Sequence, residues 1–357
     1  MRTDDLSTGF LERYLPARLG CGAVAVTGIV KFPRGSSRET WFVDCDLRRG
    51  AARETQQLVF RRDFPGGSVC PMPLRTEFDI YDRLKGSAVP VAEVLWYEDD
   101  PGLLEGQRPF YVRRHIEGDW QIPHFQDPDP RYDRLRIELG REHVRKLALI
   151  HTCDWQALGF GELFQVPAST RVCHEAIIES VERELAAFQI EPFPLFLEAK
   201  EWLLDNPPAP ASRISLLKGT NGYGEEIFAD GRIVAMSDWE LARLGDPAYD
   251  WAQLQDFAAD VVIDGELVWG LQPALDYYEE ISGIRVDPAS VQYYRMLYSL
   301  IMMMFCHNAA IPVVRGTDLM ARLCWPSTEV LYRAQCMMAA MVGVGQPPAR
   351  VPGQLGG

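Results

Sequence analysis

The chain has 357 residues, of which 47% are hydrophobic and 24% are charged, a composition typical of a globular protein with a sizeable core. Its length predicts two domains, or one domain with two lobes. The net charge of −14 argues against a nucleic-acid partner, because the phosphates would be repelled. The charge suits neutral or cationic small molecules, although an acidic surface more often serves only to keep a protein soluble.

The cysteines and the apolar runs indicate the compartment. The eight cysteines are scattered without a C-x-x-C pair, so we expect free thiols, no structural zinc site and a reducing cytoplasm. No apolar segment follows the charged positions 1–6, so we expect no signal peptide. The longest mainly apolar run, 297–305, is far shorter than the ~20 residues that span a bilayer, so we expect no membrane partner.

The N-terminal third predicts a helix, a set of β-strands and a second helix. Positions 4–19 carry apolar residues at helical spacing, with Pro16 disturbing the last turn. Extended patterns follow at 23–26, 40–43, 58–62 and 109–112, and a Gly- and Ser-containing turn at 33–37 separates the first two. Helical spacing returns at 75–84.

The rest of the chain is mostly helical, interrupted by one strand–loop–hairpin segment. Helices are predicted at 131–152, 274–281 and 291–307, and we expect the Gly- and Pro-rich tail to be frayed. At 214–252 a short apolar run enters a loop with three glycines. Two strand patterns then flank Asp230-Gly231, a dipeptide that readily takes positive φ. A tight hairpin there predicts that the loop 218–225 and Asp238 lie side by side.

The segment 214–252 resembles the aminoglycoside phosphotransferase and choline kinase-like family of small-molecule kinases. The signature of that family is H-G-D-x-x-x-x-N, then about a dozen residues, then D-W-E and G-D-P-x-x-D. In the same register this chain has Lys218-Gly219-Thr220, Glu225, Asp238-Trp239-Glu240 and Gly245-Asp246-Pro247 with Asp250. The resemblance extends over about 5–340.

The resemblance implies an α+β, bilobal, protein-kinase-like fold. Its small antiparallel-sheet N-terminal lobe would occupy 1–115, its mainly helical C-terminal lobe 116–345 and a flexible tail 346–357. It also implies that Ser37 belongs to a loop over the nucleotide phosphates, with Arg38 where the loop usually has Asn. Arg61 would pair with the nucleotide phosphates, and Glu77 would orient the Arg61 side chain. His151 is expected to pack beneath the catalytic loop.

Three chemically active positions differ from the family signature: Lys218 replaces His, Thr220 the catalytic Asp and Glu225 the metal-ligating Asn. A threonine hydroxyl does not ionise near neutral pH, so Thr220 cannot be the base. Glu225 can still bind a hard cation, and Asp238 is retained, so any metal is expected at these two carboxylates. The residues expected to carry the chemistry are Lys218, Thr220, Tyr223, Glu225, Asp238 and Glu240.

Three hypotheses for function follow. The first is a small-molecule enzyme in which ATP phosphotransfer is weakened or replaced by acid–base chemistry, with Mg-ATP binding weak or absent. The second is a Mg-ATP-dependent kinase of a hydroxyl or amine metabolite, with Glu225 or Glu226 as a displaced base. The third is a non-catalytic, pseudokinase-type binding protein. If the Lys218 ammonium takes the electrostatic place of a magnesium ion, it should lie within about 4 Å of Asp238 or Glu225.

Overall fold

The computed structural model describes residues 6–33, 35, 37–104, 108–188, 194–316, 323 and 326–345. The chain forms two compact units. One contains residues up to Lys85 together with Ala92–Ile116, and the other contains Gly86–Val91 together with the residues from Glu117 onward. Within the second unit the backbone N–H of Met236 donates to the carbonyl of Pro90 at 2.7 Å, which ties the segment Gly86–Val91 to that unit. The tail 346–357 lies outside the described residues.

The N-terminal unit is a five-stranded antiparallel sheet with two helices. The strands pair in the order β1-β2-β3-β5-β4. The elements in chain order are α1 (Thr8–Leu19), β1 (Ala23–Lys31), β2 (Arg38–Arg49), β3 (Ala52–Asp63), α2 (Leu74–Leu84), β4 (Val94–Glu98) and β5 (Phe110–Arg114).

Helix α1 begins and ends where its sequence dictates. The Ser7 hydroxyl accepts a hydrogen bond from the N–H of Phe10, and Gly20 ends the helix in the left-handed conformation. Between these caps Leu11 and Leu15 are fully buried and pack in one cluster with residues of the sheet, among them Phe60. Burial of this apolar face stabilises the helix on the sheet.

The C-terminal unit is mainly helical. Its helices are α3 (Asp133–Thr152), α4 (Glu175–Phe188), α5 (Pro194–Asp205), α6 (Ala248–Trp251), α7 (Leu271–Ser282), α8 (Pro288–Val314) and α9 (Leu331–Met341). Its strands form three two-stranded ribbons: β6 (Ser215–Leu217) with β9 (Arg243–Gly245), β7 (Glu226–Ala229) with β8 (Arg232–Met236), and β10 (Val261–Ile263) with β11 (Glu266–Trp269). The predicted α+β class, with an antiparallel N-terminal sheet and a mainly helical C-terminal part, is confirmed.

The predicted Asp-Gly hairpin is also confirmed. Asp230 and Gly231 have φ angles of 50° and 72° and connect β7 to β8, as a turn matched to strand twist requires. The hydroxyl of Ser237 donates to the carbonyl of Glu225, and the hydroxyl of Thr220 donates to the carbonyl of Asp238. The hairpin therefore holds the loop beside Asp238, as the sequence predicts.

Helix α8 extends beyond the predicted helix 291–307 at both ends. It has 27 residues, Pro288–Val314, and contains Pro312. In the part of the chain that the structure describes, it alone has the length and apolar character of a membrane-spanning helix. Within the protein, 61% of its most apolar window is buried, as in the core helix of a globular domain.

Candidate active site

The loop 218–225 starts from β6 and depends on a glycine at its second position. Gly219 has a φ of 88°, and a Cβ there would lie 2.2 Å from the carbonyl oxygen of Leu241. Both the left-handed backbone and the close approach therefore exclude any larger residue. The chain turns sharply at this point because only glycine fits against the segment that follows Asp238.

A buried carboxylate clamps the start of the loop from below. Asp250, in α6, accepts hydrogen bonds from the backbone N–H groups of Lys218 and Gly219 at 2.9 and 2.8 Å. His151 Nε2 lies 3.0 Å from Oδ2 of the same carboxylate, and His151 Nδ1 lies 2.6 Å from the hydroxyl of Tyr278. Burial alone would raise the pKa of Asp250, but these hydrogen bonds lower it. The prediction that His151 packs beneath the loop is confirmed.

The ammonium of Lys218 lies in the centre of the loop and is fully buried. Its Nζ is 3.1 Å from Glu226 Oε1 and 3.3 Å from Glu225 Oε2, and it also donates to the carbonyl of Thr220. Burial alone would lower the pKa of Lys218, but the charges of Glu226, Glu225 and Asp238 outweigh it and raise the pKa well above its usual value. The lysine is therefore a permanent cation, and its predicted salt-bridge distance from Glu225 is confirmed.

Glu226 and His143 complete this buried group, although the sequence pattern does not reveal that they meet. Both side chains are fully buried, and His143 Nε2 lies 3.5 Å from Glu226 Oε1. Burial alone would raise the pKa of Glu226, but Lys218 and His143 hold it below its usual range. One signal was available, because His143, Leu147 and His151 recur every four residues along α3 and are all buried. That spacing does not reveal which strand the histidine faces.

Glu225 differs from its neighbour in both exposure and charge. Its side chain exposes 25% of its surface, whereas that of Glu226 exposes none. Burial of the carboxyl, together with the nearby charges of Asp238 and Glu226, raises the pKa of Glu225 to about 8 although Lys218 opposes the shift. Two adjacent carboxyls whose pKa values are pushed apart are typical of acid–base sites. Of the two glutamates, only Glu225 reaches solvent and titrates near neutral pH.

Thr220 and Asp238 are joined through the backbone. The hydroxyl of Thr220 donates to the carbonyl of Asp238, whose φ of 61° is uncommon for a residue other than glycine. Thr220 therefore stabilises the turn that presents Asp238, and its hydroxyl is committed to that bond. Trp239 is fully buried between Asp238 and Glu240, both of which are half-buried. A catalytic role for Glu240 stays a prediction.

Tyr223 joins the loop to the backbone of Ile122. Its hydroxyl donates to the carbonyl of Ile122 at 2.8 Å and lies close to the backbone N–H of the same residue. Burial raises the pKa of this hydroxyl, so it does not ionise near neutral pH. The backbone of Ile122 thus uses both hydrogen-bonding directions of the hydroxyl, and a catalytic role for Tyr223 stays a prediction.

The residues predicted to bind nucleotide lie in the N-terminal unit, and two of them meet there. Arg61 Nη2 is 2.9 Å from Glu77 Oε1, and Arg61 Nη1 donates to the Thr40 hydroxyl at 2.9 Å. The register explains this, since Arg61 lies opposite Thr40 on β2 and opposite Tyr111 on β5. The neighbouring Arg62 points to the other face, where it is fully buried against Glu39 at 2.6 Å.

Glu77 is held by more partners than the sequence suggested. Arg38 is fully buried and also pairs with the Glu77 carboxylate, and the Tyr111 hydroxyl donates to it at 2.7 Å. Burial alone would raise the pKa of Glu77, but Arg61 and Arg38 lower it to about 2. Arg38 thus serves as a structural partner of Glu77. Ser37, also buried, immediately precedes β2, and its nucleotide role stays a prediction.

The loop region has few side chains that could bind a magnesium ion. Among the described residues, no group of three or more His, Cys, Asp or Glu side chains is arranged to hold a metal. Glu225 Oε2 accepts from the N–H of Gly222 at 3.1 Å and also faces Lys218, so it is engaged within the loop. Magnesium commonly binds one or two carboxylates together with phosphate oxygens and water. The residues present therefore fit an ion held by Asp238 and a bound phosphate group.

The fold and this loop define a kinase-like class of protein, and comparison with known proteins identifies the family. The sequence profile of the phosphotransferase enzyme family matches residues 28–280. The chain therefore belongs to the phosphotransferase enzyme family, as the sequence analysis predicts.

Solved structures share the fold at low identity. A protein from Ralstonia eutropha that is assigned as an aminoglycoside phosphotransferase is 22% identical, with a TM-score of 0.67. The match covers 95% of this chain and 98% of that protein's chain. A macrolide 2′-phosphotransferase type I is 18% identical with a TM-score of 0.57, covering 93% and 96%. The aminoglycoside phosphotransferase APH(4)-Ia, in a ternary complex with ADP and hygromycin B, is 16% identical with a TM-score of 0.53, covering 94% and 98%.

Curated relatives match over only part of their length. Acyl-CoA dehydrogenase family member 11 from Mus musculus is 26% identical over 256 residues, which is 70% of this chain and 30% of the relative. The protein of the same name from Homo sapiens is 26% identical over 261 residues, 69% of this chain and 30% of the relative. The chain thus spans about a third of the length of these relatives.

Proposed function

We propose that this protein is an ATP-dependent phosphotransferase of a hydroxyl- or amine-bearing small molecule, with Glu225 as its acid–base group. The observation that carries the proposal is the contrast between the two adjacent glutamates. Glu226 is a fully buried anion, whereas Glu225 is partly exposed and has a pKa of about 8. A group with a pKa near the working pH suits proton transfer.

The residues of the loop would divide the work as follows. Glu225, in its ionised form, accepts the proton of the substrate hydroxyl or amine. Lys218 keeps its positive charge beside Glu225 and Glu226 throughout. Asp250 and Thr220 fix the backbone on which these groups stand. Kinase-type catalysis consists mostly of such positioning and charge stabilisation.

ATP, when bound, supplies the phosphoryl group, and magnesium would neutralise its phosphates. The support for ATP comes from the family and from structural relatives, because APH(4)-Ia has been seen with ADP and with AMP-PNP. In this chain Asp238 would hold the metal, and Arg61, oriented by Glu77, would bind phosphate. Since Glu225 is already engaged by Lys218 and by the N–H of Gly222, we expect weaker Mg-ATP binding than a two-ligand site would give.

A second candidate function rests on Lys218. An ammonium 3.1 to 3.3 Å from two carboxylates already places a fixed positive charge where the family pattern implies a metal site. Metal-free acid–base chemistry by Glu225 on a small molecule would use the same arrangement without a nucleotide. The non-catalytic hypothesis would leave Glu225 as part of a binding surface.

One experiment separates these functions. ATP binding is measured by calorimetry with and without magnesium, and ADP formation is followed against a panel of alcohols and amines. Magnesium-dependent binding with acceptor-stimulated ADP formation supports the phosphotransferase. Binding of a metabolite that EDTA leaves unchanged, with turnover but no ADP, supports the metal-free enzyme, and binding without turnover supports the third hypothesis.

We also propose a cytoplasmic location. Seven cysteines in the described part of the chain are free thiols, which supports a reducing compartment.

A further inference from the structure

A cleft with a volume of about 550 Å³ lies within the C-terminal unit, and the proposed chemistry does not use it. Its walls come from the segment Ala209–Ser212, from α7 and from the turn that leads into α8. The volume lies within the range of small-molecule sites, which is roughly 300–1,000 Å³.

The cleft is strongly acidic. Four carboxylates line it, against one guanidinium: Asp246, Asp276, Glu279 and Asp287, with Arg285. Asp276, Glu279 and Asp287 are exposed at the rim, whereas Asp246 is buried at the floor. Among the described residues none of the five takes part in an ion pair, and the excess is three negative charges.

Two polar side chains lie at the floor, and one of them lacks a partner within the described residues. Asp246 is 6% exposed, its Oδ1 accepts from the N–H of Ala248 at 3.0 Å, and its carboxylate also interacts with the hydroxyl of Tyr294. Burial raises the pKa of Asp246 to about 6, so it is still largely ionised at pH 7. Ser290 is 4% exposed, and its hydroxyl has no hydrogen-bond partner among the described residues. The Ser290 hydroxyl, which lines the cleft without a protein partner, is therefore available to a ligand in the cleft.

The cleft is separate from the loop 218–225. In the ribbon of β6 and β9, Ser215 pairs with Gly245 and Leu217 pairs with Arg243. Ser212 and Asp246 therefore adjoin one end of the ribbon, and Lys218 adjoins the other. No residue of 218–225 lines the cleft.

We propose that this cleft is a second small-molecule site, which binds an aliphatic di- or polyamine. One ammonium group pairs with Asp246 and donates a hydrogen bond to the hydroxyl oxygen of Ser290. The other ammonium groups pair with the rim carboxylates. The apolar side chains of Leu275 and Val286, which also line the cleft, suit the methylene segments between the amines. The proposal does not depend on the phosphotransfer chemistry.

The test uses spermidine as the probe, with 1,8-octanediol as an uncharged linear control. Calorimetry on the full chain at about 0.05 M salt should show saturable binding of spermidine and none of the diol. Glu279→Gln should weaken binding about three- to fivefold, as loss of one exposed ion pair does. Ser290→Val, which fills the floor without changing charge, should weaken it at least about tenfold.

Glu280→Gln is the matched control, because Glu280 is the next residue on α7, is exposed and does not line the cleft. It should change the dissociation constant less than about twofold. Equal weakening by Glu279→Gln and Glu280→Gln would overturn the proposal in favour of general attraction to an acidic surface. Failure of spermidine to bind, or full binding by a Ser290→Val protein with unchanged circular dichroism, would overturn it as well.

Discussion

The ammonium of Lys218 lies 3.1 Å from Oε1 of Glu226, and neither side chain exposes any surface to solvent. A buried ion pair of this kind is a poor source of net stability but is very costly to break on one side. The two residues therefore depend on each other. Their position in the loop means that any change in one alters the surroundings of Glu225.

The first prediction concerns this pair. Lys218→Met leaves the Glu226 charge buried without its lysine, so the free energy of unfolding should fall by about 3–5 kcal/mol. Denaturant unfolding at pH 7 measures the change. Lys85→Met is the control, because Lys85 pairs with Glu93 at 3.0 Å on the surface and should contribute at most about 1 kcal/mol.

A double change checks the cause of the loss. Adding Glu226→Gln to Lys218→Met removes the orphaned charge and should recover part of the lost stability. Suppose that adding Glu226→Gln to Lys218→Met lowers the free energy of unfolding as much as Glu226→Gln lowers that of the wild type. The two residues would then be independent, and the ion pair would not organise the loop.

The second prediction concerns Glu77 and acid stability. Its folded-state pKa of about 2 lies below the unfolded value, so its contribution is present above about pH 4.5 and is lost as the pH falls towards 2. Glu77→Gln should lower the free energy of unfolding by about 3 kcal/mol at pH 7 and flatten its fall in acid. Unfolding measured from pH 3 to 7 tests both effects.

Asp79→Asn is the matched control for Glu77, because Asp79 lies on the same helix in an exposed ion pair with Arg75. It should change stability by less than about 1 kcal/mol. If the free energy of unfolding of Glu77→Gln fell in acid as steeply as that of the wild type, Arg38 and Arg61 would not depend on this carboxylate.

Local features of the sequence predicted most of the fold. The Asp-Gly turn determines the β7–β8 hairpin through the φ angles of its own two residues, so no distant contact is needed to foresee it. Helix α8 was predicted at 291–307 from its helical spacing, and the observed helix extends three residues further at its start and seven at its end. The strand β4 was missed because its five residues become a strand only by pairing with β5.

The site was harder to predict than the fold. A lysine close to a glutamate in one loop suggests an ion pair, and the Lys218–Glu225 distance follows from that. The split between a buried Glu226 and a partly exposed Glu225 depends on how His143 of α3 meets β7, which no spacing in the sequence encodes. The contact of Tyr223 with Ile122 could not be predicted for the same reason, since Ile122 lies 101 positions earlier in the chain.

The third prediction asks whether the loop alone sets the activity. The triple change Lys218→His, Thr220→Asp, Glu225→Asn restores the family signature, but it leaves Glu226 buried without its lysine. We therefore expect at most a trace of ATP hydrolysis and loss of the native activity. Phosphate release and an assay on the native acceptor measure both from one purified variant.

Either of two outcomes would contradict that prediction. Strong ATP turnover by the triple variant would mean that the surrounding protein still supports the family's usual chemistry. Native activity that survives the triple change would place the site away from this loop.

The role of Glu225 as the base is tested most directly by the pH dependence of ADP formation with a stimulating acceptor. Because Glu225 must be ionised to accept a proton and its pKa is about 8, the rate should rise with pH below 8 and level off above it. Glu225→Gln should lower kcat by about 10²–10⁴ and abolish that rise, while the protein remains folded. A Glu225→Gln protein with the wild-type rate and the same pH profile would contradict the account, because the proton would then be taken by another group.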